Sequence, residues 1–264
     1  MAGVARTVPP NPNQNDPFFQ NTRTILIGNN TIAIEACRAA AGSLGYTVEV
    51  LGSSMHGEAR IMAASFVTLA LLRASELTAA GRIPPVRHCL LGGGEITVTL
   101  KGSGKGGRNQ EAALAAALLL HTVHVSGTNA LHKHGTAPEH PGTPVMLFAG
   151  TDGQDGPCDV AGAIAEPSTV SVAWAEHLRR GTSRANRREL TRISNGGENQ
   201  SNGDENQSNG GENQNNGGEN QSAVGLATAL LDNNDSYAFF SLTTNHYRPG
   251  ITGTNVMDLY VTLI

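Results

Sequence analysis

Ten residues, Gly102-Ser103-Gly104-Lys105-Gly106-Gly107-Arg108-Asn109-Gln110-Glu111, constrain this chain more than any other stretch. They join a strand-like run, Glu95 to Leu100, to a helical one, Asn109 to Leu120. Glycine lets backbone approach a ligand closely and bare its N–H groups, and a helix amino terminus favours an anion. The run therefore reads as a phosphate or carboxylate cradle built from Gly102, Gly104, Lys105, Gly106, Gly107 and Asn109. A second turn, Gly150-Thr151-Asp152-Gly153-Gln154-Asp155-Gly156-Pro157, follows another apolar strand and adds the carboxylates such a cradle lacks. Together the two turns point to phosphoryl transfer.

Periodicity places these turns in an α/β fold, with a mixed or mostly parallel sheet flanked by helices. Thr24 to Gly28 reads as a buried strand, Thr31 to Leu44 as a helix, and Tyr46 to Leu51 as a second strand. That order is a βαβ unit. A long helix from Glu58 to Ala80 is stopped by Gly81 and Pro84. His88 to Leu91 and Glu95 to Leu100 read as short strands separated by Gly92-Gly93-Gly94. Val145 to Ala149 is a further buried strand, and Ser168 to Arg180 a helix. Helices follow at Ala223 to Leu231 and Asp235 to Ser241, then a last strand at Val256 to Ile264.

Residues 1–22, rich in Pro and Asn, read as a disordered amino-terminal segment. Residues 23–91 form the βαβ part with the long helix, and 92–264 the remainder. Within the latter, 194–222 is a degenerate seven-residue repeat of Gly, Glu, Asn, Gln and Ser. A seven-residue period suits a coiled coil only with apolar a and d positions, which are missing here. Such a tract cannot bury enough apolar surface to offset ordering, so it reads as a disordered insert. It holds five acidic and no basic residues, which leaves the rest of the chain nearly neutral.

Near-neutrality argues against a nucleic-acid partner. The cluster Arg179, Arg180, Arg184, Arg187, Arg188 and Arg192 reads as a solvated flank of the insert. No stretch reads as a membrane span or a secretory signal, and the cytoplasm is the expected location. Cys37, Cys89 and Cys158 lack ligand spacing and read as reduced thiols. The His-rich stretch from His121 to Pro144, with His132 and His134, reads as a surface loop rather than a metal site.

Five motifs occur in order: Gly93-Gly94-Glu95, Gly102 to Glu111, Gly150 to Pro157, Asn234-Asp235-Ser236-Tyr237 with Phe239-Phe240, and Thr252 to Val256 with Asp258. On these, the chain from about Thr24 to Ile264 resembles the C-terminal domain of the glycerate 2-kinase family. Its bacterial members are often labelled hydroxypyruvate reductase (the MOFRL family). The resemblance implies a two-domain α/β enzyme that transfers the ATP γ-phosphoryl group to D-glycerate, with Mg²⁺, in a cleft between domains. A full member carries a large N-terminal domain with its own Gly-rich loops and an ATP-binding lysine. Here about twenty Pro/Asn-rich residues precede the first strand. Ile96, Ala149 and Cys158 stand where Thr, Ser and Thr are common in the family.

Two other readings stay open. One is a non-catalytic module, or half-enzyme, working with a separate ATP-binding domain. The other is an NAD(P)H-dependent hydroxypyruvate reductase, for which Gly28-Asn29-Asn30 offers only a weak dinucleotide turn. Loss of a covering domain would leave apolar surface bare, so self-association or a partner ATP domain is expected.

Arg108, Asp152 and Asp155 are the expected catalytic residues. Arg108 suits a bidentate grip on carboxylate or phosphate, with a salt bridge to Glu111 or Glu95 as its structural alternative. Asp152 and Asp155 suit Mg²⁺ or the substrate hydroxyl, with Asx-turns as the alternative. Asn109 doubles as a helix cap. Glu95, Asn234, Asp235, Thr254 and Asn255 are expected to face the substrate, glycerate.

Overall fold

Six strands make one sheet: β1 (Thr47–Met55), β2 (His88–Gly94), β3 (Val145–Gly150), β4 (Gly162–Ala165), β5 (His246–Tyr247) and β6 (Asp258–Leu263). Their order is β1-β2-β6-β3-β4-β5, with β1 and β2 parallel and every other pairing antiparallel. The sheet is thus mixed. The computed structural model describes residues 11–13, 15–23, 25–79, 87–131, 143–181 and 215–264. Six α-helices occur among them: α1 (Asn30–Ser43), α2 (Ala59–Ala79), α3 (Arg108–Leu131), α4 (Thr169–Arg180), α5 (Asn215–Asp232) and α6 (Ser236–Phe240).

Strand alternation splits the apolar residues into two layers. Leu90, Met146, Phe148 and Tyr260 face α2, α3, α5 and α6 and form the main core. Phe66 of α2 packs edge-on against both Phe148 and Tyr260, at 5.9 and 5.7 Å between ring centroids. Cys89, Leu91, Leu259 and Val261 face the other way, onto Ile34, Cys37 and Ala41 of α1. Aromatics being few, alanines let helices approach closely, and Ala112, Ala113, Ala116 and Ala117 of α3 are fully buried.

The first expected strand is not one. Residues 25–28 carry no strand, and Ile25, Leu26 and Ile27 are 66, 71 and 93% exposed. Asn30, at the start of α1, donates to the Val256 and Asp258 carbonyls, both at 2.8 Å, at the start of β6. The place beside β2 is taken by β6, so the chain leading into α1 has no partner strand there. The parallel crossover unit is instead β1-α2-β2.

Gly92-Gly93-Gly94 also differs from expectation. It is the end of β2, paired with Tyr260, Leu259 and Asp258, rather than a connection between strands. A Cβ on Gly92 would lie 2.7 Å from Met55 Sδ and 2.8 Å from Phe66 Cζ, so the strand needs glycine for packing. Glu95 to Leu100 contributes only a single bridge, Glu58 to Thr97.

Three further boundaries move. Helix α3 runs on to Leu131, through the start of the expected His-rich loop, because His121 is buried and hydrogen-bonded to Asn220. His132, His134 and His140 lie outside the described residues, as do 1–10, 194–214, Gly81 and Pro84. Helix α5 starts inside the repeat at Asn215, eight residues early, and Asn220 docks it to His121 at 2.5 Å. In the amino-terminal segment, Pro17–Phe19 forms a single 3-10 turn. Helix α2 is, by length and composition, apolar enough to cross a membrane, at mean hydropathy 1.4, contrary to the sequence reading. It packs on α3 through a buried face of Ala63, Phe66, Val67 and Ala70 and carries Arg60, Arg73 and Glu76, each in an ion pair.

Candidate functional site

Helix α3 begins at the sheet edge where β2 and β3 end and β6 starts, and Arg108 is its first residue. The register puts Gly94, Asp258 and Gly150 side by side on three adjacent strands. Neither flanking glycine has a side chain, and the space a Cβ would take is filled by Met55 backbone at Gly94 and by the Gln154 carbonyl at Gly150, while Arg108 reaches Asp258 itself. Its Nε and Nη2 donate to the Asp258 carboxylate at 2.6 and 2.9 Å, a two-pronged pair. Asp258 is fully buried, whereas about a third of the Arg108 side chain is exposed. Asp258 raises the Arg108 pKa further above its usual value. Tyr260 donates to the same carboxylate at 3.4 Å, and burial pushes its phenol upward. Glu95 approaches Arg108 Nη2 at 3.6 Å from the solvent side.

Asp152 reaches the same rim. Its Oδ1 and that of Asp258 lie 3.1 and 3.6 Å from where a Cβ on Gly150 would sit. Oδ1 accepts the Gln154 N–H at 3.0 Å in an Asx-turn, and Oδ2 accepts from Asn255 Nδ2 at 3.3 Å. The loops carrying Asp152 and Asn255 interlock. Thr151 donates N–H and hydroxyl to the Met257 carbonyl, and Thr252 donates to the Thr151 carbonyl. Thr252 also takes the Thr254 N–H at 3.3 Å, and Thr254 and Asn255 are exposed at this edge. The structure therefore brings together Arg108, Asp152, Glu95, Thr254 and Asn255.

Asp155 is elsewhere. It is buried beneath the first turn of α3, where Oδ1 accepts from Asn109 N and Nδ2 at 3.0 and 3.3 Å. Its Oδ2 accepts from Gln110 N and Nε2 at 2.8 and 3.0 Å. Burial pushes the Asp155 carboxyl up, and these donors act against that. Both oxygens are engaged in capping the helix, so in this structure Asp155 is a structural anchor and not a rim carboxylate. Asn109, expected both to cap and to touch a ligand, is itself fully buried and bonded to Asp155.

The glycine run is equally occupied. Asn234 Oδ1 accepts the N–H groups of Lys101 and Gly102 at 2.7 and 2.9 Å. Ser103 donates to Asn233 Oδ1, Gly104 to the Asn233 carbonyl, and Lys105 to Asp235 Oδ1. A Cβ on Gly102, Gly104 or Gly106 would overlap Asn233, Asp235 or Ser236, and one on Gly107 would overlap Asp155. These glycines admit another segment of the same chain, so Asn234 and Asp235 hold the loop. Asn234 also reaches Glu111, which is buried and paired with Arg60 at 2.8 Å. Lys105 Nζ sits 4.3 Å from the centre of the Tyr237 ring.

Residues 101–105 do not fit an ATP triphosphate as a backbone cradle, because their amides already have acceptors. Mg²⁺ does not fit the pair Asp152 and Asp155, since one of the two is saturated. Among the described residues, no group of three His, Cys, Asp or Glu side chains is placed to hold a metal. Asp258 is the residue that the sequence reading left outside the site. Its place in the last of the five motifs was the available signal, but its pairing with Arg108 spans 150 positions.

The MOFRL family model matches residues 88–205. The glycerate kinase of Rattus norvegicus is 31% identical over 90% of this chain and 40% of its own length. That of Homo sapiens is 33% identical with the same two shares. A crystal structure of Thermotoga maritima glycerate kinase is 27% identical, with a TM-score of 0.59 over 93% of this chain and 42% of its own. The chain thus spans about two fifths of the length of these relatives.

Proposed function

Homology to the MOFRL-domain glycerate kinases is the premise from which we propose that this chain forms the glycerate-facing side of an ATP-dependent glycerate 2-kinase. One observation carries the reading. Arg108 is fixed at the sheet rim beside Asp152, with Asn255 and Thr254 on the adjoining loop. A small hydroxy-acid anion needs a cation for its carboxylate and acceptors for its hydroxyls, and that rim offers both. In this reading the phosphates of ATP, with Mg²⁺, are held by groups other than the engaged amides of residues 101–105. Formation of 2-phosphoglycerate from D-glycerate and ATP, followed in a coupled assay on the chain as it stands, is the test. Saturable binding of D-glycerate is its second arm, and loss of both results would overturn the assignment.

A non-catalytic substrate-binding module is the second reading. It is favoured by the amides of residues 101–105, which already have acceptors within the chain and are not free to cradle a nucleotide. D-glycerate binding without turnover, converted to turnover by adding a separate ATP-binding domain, would select it.

A further inference from the structure

We propose that Asp258 is a positioning residue that turns Arg108 so that only its outer edge, led by Nη1, meets an anion at the rim. The proposal rests on the glycerate reading above for the identity of the physiological anion, but its geometry stands apart from it. A free arginine offers the side edge, Nε with one Nη, for two-pronged recognition of carboxylate or phosphate. Here that edge is spent inward on Asp258, at 2.6 and 2.9 Å. Nη1 has no hydrogen-bond partner among the described residues. Among the described residues, the edge it shares with Nη2 is approached by Glu95, at 3.6 Å and with an exposed side chain. Arg108 therefore contacts an incoming oxyanion end-on, and Glu95 is the counter-charge which that anion displaces.

The strands enforce this. Asp258 is flanked in register by Gly94 and Gly150, neither of which has a side chain to compete for its carboxylate. Tyr260 steadies the same carboxylate from within the core. Anchoring at two nitrogens leaves the guanidinium no freedom to rotate toward a side-on grip, so the direction of the bound oxyanion is set by Asp258 rather than by Arg108 alone.

Nitrogen-15 NMR of the arginine side chains in the full chain tests this, with Arg108 assigned by its loss in Arg108→Lys. The Nε–H signal should exchange slowly, and titration with inorganic phosphate or D-glycerate should shift Nη1 while leaving Nε in place. Asp258→Asn should release the Nε–H and weaken phosphate binding on the order of tenfold. Asp258→Glu, which keeps the charge but lengthens the arm, serves if the amide variant fails to fold, and should likewise move Nε and weaken binding. Exposed Glu95→Gln should tighten binding several-fold. An Nε–H that exchanges freely in the wild type, a shift at Nε on titration, or silence toward both anions would overturn the proposal. So would unchanged affinity in Glu95→Gln. A response to phosphate without one to D-glycerate would leave the positioning role intact and remove the glycerate assignment.

Discussion

Asp155 Oδ2 accepts the backbone N–H of Gln110 at 2.8 Å, so a residue 45 positions downstream caps helix α3 from outside. Three further donors converge on the same carboxylate. Asp155→Asn replaces a double acceptor with a group that turns an N–H₂ toward other N–H donors. The expected loss is about 2–4 kcal/mol, from buried donors left without acceptors at a helix amino terminus. Urea unfolding would show it as a lower midpoint with an unchanged slope.

The glycines divide by what surrounds them. Gly104→Ala would drive a Cβ into Asp235 and is expected to cost about 1–3 kcal/mol through overpacking. Gly225 lies within α5 with nothing inside 4 Å of its would-be Cβ. Gly225→Ala should therefore raise stability by roughly 0.5–1 kcal/mol through helix propensity and a less flexible unfolded chain. Thermal unfolding of the two variants should move in opposite directions.

Asn234 adopts a left-handed backbone, φ 53°, while its side chain ties Lys101, Gly102 and Glu111. Gly and Ala at this position both lose those bonds, but only Ala pays the conformational strain. The Ala variant should be less stable than the Gly variant by about 1–2 kcal/mol. Equal stabilities in paired unfolding curves would show that the backbone relaxes.

His246 is held well below its usual 6.5, at about 4, first by burial and then by the nearby Arg248. It also bonds Gln110 Oε1 at 3.2 Å, touching the support of α3 from behind. The folded form thus prefers neutral imidazole, while the unfolded chain takes up a proton near 6.5. Its contribution is present above that value and is lost as pH falls toward about 4. His246→Gln should flatten the decline in unfolding midpoint between pH 6.5 and 4.5, measured beside the wild type. Parallel declines would count against it.

Most helices and strands, and the turns at Gly102 to Gly107 and Gly150 to Gly156, were legible because they depend on neighbours within one turn of chain, whereas Gly92-Gly93-Gly94 proved to be strand. Helices α1, α2 and α4 begin and end within a residue or two of where periodicity puts them. Thr24 to Gly28 was misleading for a non-local reason. Its residues have the composition of a strand, but β6 occupies the sheet position beside β2. The four-residue β4 and two-residue β5 were too short to stand out as apolar runs.

At the site, residue types alone placed Arg108 and Asp152 on one rim, since turns that follow strands collect at sheet ends. They also showed that Gly102 to Gly107 must meet something at close range. What fills that space is another part of the chain, about 130 residues away, and only the tertiary structure reveals it. A glycine records that a Cβ would not fit, and an amide that it needs an acceptor. Neither records the acceptor's identity, because that depends on which distant segments pack together once the sheet has closed.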